Sequence, residues 1–532
     1  MSATDRPGRQ QPDAAAPGGD AAFKPRGGAF GFFFMVLGMF MAILDIQIVA
    51  SSLPQIQAGV STSVDDVTWV QTAYLVAEVV MIPLSGWLAR VMSSRWLFSA
   101  SAAGFTITSV MCAFSWDINS LIWFRAIQGF VGGAMIPTVF AAVFKLFPPN
   151  RRMLGTVVVG LTATVAPAAG PTLGGYITEF YSWEWLFLVN VLPGLIVAIA
   201  VPIAIDIDEA EPGLLRKVDL IGIVLIAGFL GSLEFVLDEG PRNDWFDDRY
   251  ITIFAIISAG SAVALVWREL TVENPVLELH AFRNRNFTVG CILTFVLGVC
   301  LYGQTFILPQ VLSQVRSYNS LQVGEVMFVT GAAMFLTAPL AGRLSNSIDP
   351  RALLAVGFLV VAAGLYLNTQ MTSEVAFWDL FLAQAVRGSG LMLCIVPITT
   401  AALGTLPTEL VSGGSGLFNV FRNMGGAVGL AMINTVWDGR YDRHYWWLVE
   451  SLPDTNRIAT EQIDKLTTLF SANPAIGDPS LAAIKVVVTK LAQQANIMAW
   501  NDVFLLMALA FVVAWPLVFL LRKPDHGDVA AH

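Results

Sequence analysis

Residues 31–54 read Gly31-Phe-Phe-Phe-Met-Val-Leu-Gly-Met-Phe-Met-Ala-Ile-Leu-Asp45-Ile-Gln47-Ile-Val-Ala-Ser-Ser-Leu-Pro54. Roughly 20 apolar residues wound as a helix cross about 30 Å of hydrocarbon, and Asp45 is the one ionisable group in this run. Runs of the same kind recur almost back to back from Gly31 to Trp437 and once more before Leu521. Stretches such as Ile251 to Val266 lack the two-residue alternation of a membrane barrel. That leaves helices, which close their own backbone hydrogen bonds in lipid. Composition agrees: 55% hydrophobic and 13% charged residues, with a mean hydropathy of +0.66, give more apolar surface than a water-soluble globule can hide. Fourteen spans are expected, beginning near residues 30, 66, 96, 119, 154, 184, 218, 249, 287, 321, 351, 376, 413 and 501. The fold class is all-α and polytopic, with the lipid bilayer as solvent.

Charge reports topology here. The net charge of −9 comes largely from acids in short loops and one long outer segment, which leaves no nucleic-acid footprint. With the N-terminus in the cytoplasm, 18 of the 30 Lys and Arg fall on the cytoplasmic side, and the short outer loops hold only Arg242, Arg249 and Arg316. That bias is the one expected of an inner-membrane protein with both termini inside. Residues 1–28, rich in Pro, Gly, Ala and charge, lack the apolar core of a signal peptide and read as a disordered cytoplasmic tail; 523–532 form a second, short tail. Cys112, Cys291, Cys300 and Cys394 sit inside apolar spans without metal spacing and read as small packing residues, so no metal or cofactor is expected.

The two halves repeat. Leu53-Pro54-Gln55 returns as Leu308-Pro309-Gln310. Pro83-Leu-Ser-Gly86, with Arg95 nine residues past the glycine, returns as Pro339-Leu-Ala-Gly342 with Arg351 nine past its glycine. Arg125-Ala-Ile-Gln128-Gly129 returns as Gln384-Ala-Val-Arg387-Gly388 with its polar pair exchanged. The offsets of 255 (309 − 54), 256 (342 − 86) and 259 (388 − 129) each shift a match by eight spans. Two six-helix bundles, 29–206 and 271–522, separated by two inserted helices, 207–270, follow from this. Duplicated bundles with polar residues near the midplane suit alternating access, one half rocking against the other.

Further motifs are ordered along the chain. Span 1 holds Leu44-Asp45-Ile46-Gln47 through Leu53-Pro54; Gly86-Trp87-Leu88-Ala89-Arg90 through Arg95 follows span 2. Span 4 holds Arg125-x-x-Gln128-Gly129-x-x-Gly132-Gly133, and span 5 holds Gly170-Pro171-Thr172-Leu173-Gly174-Gly175. Ser182 to Pro193 and Gly413 to Gly429 with Arg422 complete the set. Together they resemble the major facilitator superfamily, specifically its fourteen-span drug:proton antiporter branch, over residues 30–522. Gln47 stands where the branch has Thr, and Arg90 where many members have Asp. The resemblance implies the major facilitator fold, protons as the driving partner, an amphiphilic small molecule as substrate, and export rather than import from the span 5 motif.

An ionised Asp in mid-membrane costs several kcal/mol. Asp45 is therefore read as a protonatable carboxyl facing a central cavity, the alternative being a fixed ion pair with Arg125 or Arg422. Glu78 in span 2 is a second coupling candidate, or a permanently paired structural carboxyl. Glu234, in an inserted span, is read as structural or interfacial. Arg125 stays protonated, so its role is that of an electrostatic switch, whereas Arg387 and Arg422 are read as hydrogen-bonding groups that hold the bundles. Gln47, Tyr74, Gln128 and Phe421 are expected at the substrate cavity. Gly86, Arg90 and Arg95, with Gly170, Pro171, Gly174 and Gly175, are expected to shape the conformational change.

Residues 438–500 form the only long hydrophilic stretch outside the tail, with amphipathic helical patterns at Ile458 to Phe470 and Leu481 to Asn496. Placed outside, this periplasmic loop suits docking of a membrane-fusion adaptor leading to an outer-membrane channel; a plain helical cap is the alternative. No Gly-x-x-x-x-Gly-Lys-[Ser/Thr] loop for a nucleotide and no His-Glu-x-x-His, Gly-x-Ser-x-Gly or Asp dyad for an intramembrane enzyme is present. A dedicated exporter of one metabolite or antibiotic, and a membrane sensor without transport, are the competing functions.

Overall fold

A computed structural model describes residues 28–148, 151–272, 275–450, 457–472 and 477–522. The two expected tails, 1–28 and 523–532, lie outside them except for Gly28. Spans 1 to 6 are Ala29–Ser51, Val64–Met92, Ser94–Ala113, Ile118–Leu146, Arg152–Phe180 and Trp185–Ala204. Spans 7 and 8 are Leu220–Asn243 and Arg249–Thr271. Spans 9 to 12 are Arg285–Arg316, Ser320–Ser347, Pro350–Leu367 and Phe377–Leu403. Span 13 is Thr408–Glu450 and span 14 Pro479–Ala514.

Among the described residues, thirteen of these helices are long and apolar enough to cross a membrane; span 13 is the fourteenth. Its hydropathy is depressed by Gly413, Gly414, Gly416, Gly425, Gly426 and Gly429 together with Asn419, Arg422 and Asn423. It is nonetheless buried along Val411 to Ile433, because glycines let it lie close to its neighbours. Polar caps fix where several spans leave the apolar layer. The Ser120 N–H donates to Asp117 at 2.7 Å and the Gln322 N–H to Asn319 at 3.0 Å, while Asn284 and Asp349 cap spans 9 and 11 in the same way. Each such bond satisfies a helix-end donor, and its loss costs about 1 kcal/mol.

The packing obeys the repeat. In the first bundle span 1 lies on span 5, span 2 on span 4 and span 3 on span 6; in the second, span 9 lies on 13, 10 on 12 and 11 on 14. A shift of eight spans carries each pair onto its counterpart and gives span 14 the place of span 6. The contacts between bundles also interchange: span 2 meets span 13, and span 5 meets span 10. Matching glycines make the tightest approaches. Gly129 abuts the backbone of Tyr74 and Gly388 that of Thr330, with no room for a Cβ. Spans 7 and 8 pack on each other and lean on spans 2 and 13 from outside. The Ser258 hydroxyl donates to the Phe229 carbonyl at 3.0 Å, beside the π-helical turn Ala227–Gly231 in span 7.

The long hydrophilic stretch departs from expectation in one respect. Span 14 begins at Pro479 rather than near 501, because neither Gly nor Pro interrupts the chain between Ser480 and Trp515. The amphipathic pattern at Leu481 to Asn496 is thus continuous with the membrane helix. Span 13 likewise runs on to Glu450, and a separate helix, Arg457–Ser471, packs against span 14. Trp437 stacks on Trp500 at 5.2 Å and donates to Asn496 at 3.0 Å, which ties the two long helices together.

Gly86 of span 2 comes within van der Waals contact of the Gly413 backbone in span 13. A Cβ at Gly86 would lie 2.6 Å from the Gly413 Cα, so Gly86→Val is expected to force spans 2 and 13 apart and to lower transport at least several-fold, measured as efflux from cells matched for expression.

Candidate functional site

Asp45 is fully buried inside the first bundle, not on the wall of the central cavity. The Arg125 Nη1 donates to its Oδ2 at 2.6 Å, and the Asn190 side chain donates to Oδ1 at 2.6 Å. Arg125 also donates to the Gln128 Oε1 at 2.8 Å and, through Nε, to the Val70 carbonyl at 3.2 Å. Gln128 donates onward to the Ser109 hydroxyl at 2.7 Å. The guanidinium carbon lies 4.2 Å from the ring centre of Tyr74 and 5.8 Å from that of Phe187. Spans 1, 2, 3, 4 and 6 thus meet around one charge pair. A carboxylate and a guanidinium that satisfy each other can be buried; either alone is strongly destabilising. Asn190 and Ser109 were absent from the sequence-derived site. Asn190 lies within the Ser182 to Pro193 motif, while nothing local marks Ser109.

The second bundle carries the same arrangement without the acid. Asp45 plus the offset of 255 falls on Cys300, and the Cys300 thiol lies beside Arg387. Arg387 donates to Thr330 at 2.9 Å and to Gln384 at 3.0 Å, and its Nε has no partner. Arg387 and Arg422 both line a narrow central cavity of about 60 Å³. Its walls come from spans 1, 4, 5, 9, 10, 12 and 13: Gln47, Tyr302, Thr305 and Thr330 are polar, the rest apolar, and no carboxylate among the described residues lines it. Of the four expected cavity residues, Gln47 is on this wall. Tyr74 and Gln128 are buried around Arg125, and Phe421 packs against Phe282 at 5.7 Å. Arg422 lies over the Phe140 ring at 5.2 Å, also with an unpartnered Nε. Glu78, 3% exposed, lies on span 2 near Arg422 and Arg125 without a salt bridge among the described residues. Glu234, half-buried on span 7, has none either.

On the face where both tails begin, the Arg90 Nη1 meets the Glu278 Oε1 at 2.8 Å. Glu278 precedes span 9, so this pair ties the first bundle to the second. The Glu278 side chain lies directly over Gly413. Arg95 pairs with Asp206 at 3.1 Å within the first half. In span 5, Gly170 sits against Gln47 and Gly174 against Ser51 and Ser52; Pro167 and Pro171 lie inside the helix, and Gly175 is half-buried. Arg90 is about one third exposed, so the pair is worth about 1 kcal/mol or less. Arg90→Glu or Glu278→Arg alone is expected to slow transport several-fold, and the double exchange to restore it, measured as efflux from cells matched for expression.

Residues 35–430 match the Major Facilitator Superfamily. The chain is 41% identical over 493 residues to the colistin resistance protein EmrB of Acinetobacter baumannii, covering 92% of this chain and 96% of that one. It is 31% identical to the multidrug export protein EmrB of Escherichia coli K12, covering 92% and 94%. Identity to the fatty acid resistance protein FarB of Neisseria gonorrhoeae is also 31%, covering 95% and 99%. In fold it is similar to the human organic anion transporter MFSD10, with a TM-score of 0.55 at 15% identity over 90% of this chain and 98% of that one. With a repeated helical architecture, a central cavity and relatives aligned over nearly their full length, the chain belongs to the Major Facilitator Superfamily, in the fourteen-span branch that these export proteins represent.

Proposed function

We propose that this protein is a proton-driven exporter of amphiphilic small molecules, working by alternating access in a bacterial inner membrane with both termini in the cytoplasm. The bundles 29–206 and 271–522 are the moving halves, with residues 207–270 inserted between them. The observation that carries this reading is a mostly apolar cavity between the halves, lined by Arg387 and Arg422, beside a buried Asp45–Arg125 pair.

Protons act at the pair. A proton placed on Asp45 removes the negative partner of Arg125 and leaves the guanidinium with Gln128, the Val70 carbonyl and two ring faces. Arg125 must then rearrange, and spans 1, 2, 4 and 6, which it joins, rearrange with it. Proton occupancy is thereby converted into helix packing. Gly170 and Gly174, against span 1, bring span 5 into the same motion.

Substrate binds at the cavity. Two guanidinium groups, each with an unpartnered Nε and no carboxylate on the wall, favour amphiphiles carrying an acidic group over cationic ones. The apolar walls accept the remainder of the molecule with little regard for shape. The relative named for fatty acid resistance fits that chemistry. The tall outer helices supply a docking surface for a periplasmic adaptor.

In proteoliposomes with an imposed pH gradient, gradient-driven uptake of acidic amphiphiles is expected for wild type and its abolition for Asp45→Asn. Arg387→Gln is expected to lower transport of the acidic members by about 10- to 100-fold, the worth of one charged hydrogen bond, with a smaller effect on neutral ones. Wild-type transport that ignores the gradient would count against proton coupling, and equal loss for neutral and acidic substrates would count against the arginines as selectors.

A further inference from the structure

The inserted spans lie outside the two-bundle repeat, yet span 7 brings a row of carboxyl groups to the flank of span 2. At the outer end the Thr72 hydroxyl of span 2 donates to Asp238 and lies 3.4 Å from the Glu239 Oε1. Glu239 is held there by Arg242 at 3.3 Å and by Asn243. One helical turn deeper, about 6 Å along the axis, stands Glu234, and Gly231, nearly a turn beyond it on span 7, faces Val76 and Val80, which flank Glu78 on span 2. Glu78 lies about 9 Å deeper than Thr72 on span 2.

Two further groups point the row inward. Glu78 is 3% exposed and accepts no hydrogen bond among the described residues. Tyr74, four residues away on the same face of span 2, is 0% exposed, and its hydroxyl has no partner. The Tyr74 ring is the one over which Arg125 lies. A structural carboxyl would be matched by a cation, but the groups facing Glu234 do not include one at its own depth. Span 2 offers Glu78, span 9 offers Tyr302, and span 8 has no charged residue between Ile251 and Trp267. The nearest cation from span 13, Arg422, faces Glu78 and the cavity.

We propose that spans 7 and 2 form a lateral proton path, taking protons from water at Asp238 and Glu239 through Glu234 and Glu78 to Tyr74 and the Asp45–Arg125 pair, bypassing the substrate cavity. Each step passes one proton from a carboxylic acid, or a water between, to the next carboxylate, which returns the donor to its ionised form. At Tyr74 the oxygen accepts one proton as the hydroxyl gives up its own. Substrate in the cavity therefore leaves the path open. The two extra helices thus carry the proton to the coupling pair from the side. This deepens, and rests on, the proton-coupled reading above.

The test uses the full chain in proteoliposomes and reads two quantities. One is substrate-driven proton flux, followed with a trapped pH dye. The other is substrate exchange at equal concentrations without a pH gradient. Glu234→Gln is expected to reduce proton flux at least tenfold and leave exchange within twofold of wild type. Asp238→Asn is expected to act in the same direction and Glu234→Asp to recover part of the flux. Wild-type flux in Glu234→Gln would overturn the path while leaving proton coupling intact. Loss of exchange along with flux in both neutralising variants would also overturn it, by making these acids structural. A wild-type protein that moves no protons would overturn the coupling reading itself.

Discussion

Everything in the first bundle is arranged around one guanidinium that lipid cannot solvate. Arg125 is buried without access to water, so the fold must supply its counter-charge and its hydrogen-bond acceptors. Asp45 supplies the charge, Gln128 and the Val70 carbonyl the acceptors, and Tyr74 and Phe187 the ring faces, while Nη2 has no hydrogen-bond partner among the described residues. Asn190 and Ser109 then satisfy the outer atoms of that group. Removing any one member leaves another polar atom stranded in a medium that offers no replacement. Five helices are consequently fixed in rotation relative to each other by polar bonding, while apolar packing fills the space between.

The second bundle is the same frame without its acid. Cys300 occupies the place of Asp45 and cannot neutralise Arg387, so that arginine turns to the neutral Thr330 and Gln384 and keeps its charge beside the cavity. The exchange of Arg and Gln between the two copies of the motif moves the cation by one turn of helix. The two halves are thus frames of the same shape. With an acid in one frame and a thiol in the other, one arginine is ion-paired and the other is not, so the cavity wall is electrically lopsided.

The helical class, the fourteen spans and the duplicated halves were legible because hydrophobic runs and repeated motifs are one-dimensional signals. The pairing of Asp45 with Arg125 stood in the sequence only as the alternative to a carboxyl facing the cavity, and with Arg422 as an equal partner, because charge type says which groups can pair and not where they point. Facing was not legible. Adjacent residues point about 100° apart on a helix, so span edges uncertain by several residues say nothing of rotation. Phe421 accordingly turned out against Phe282 and Arg387 on the cavity wall. Partners distant in sequence and ordinary in type, such as Ser109, Asn190 and Glu278, depend on packing that no local pattern encodes. The early start of span 14 was missed for a simpler reason: a polar, amphipathic segment resembles a loop until the absence of any helix breaker is weighed.

That unbroken helix has a mechanical consequence. Span 13 continues from Asp438 to Glu450, an arm of about 20 Å at helical rise, and it is braced to span 14 through Trp437, Trp500 and Asn496. Continuous in helix and braced in this way, the pair would move as a lever fixed to the second bundle. Any tilt of that bundle would be magnified into sideways travel at the tip, turning a small rotation inside the bundle into a displacement that can be read far from it.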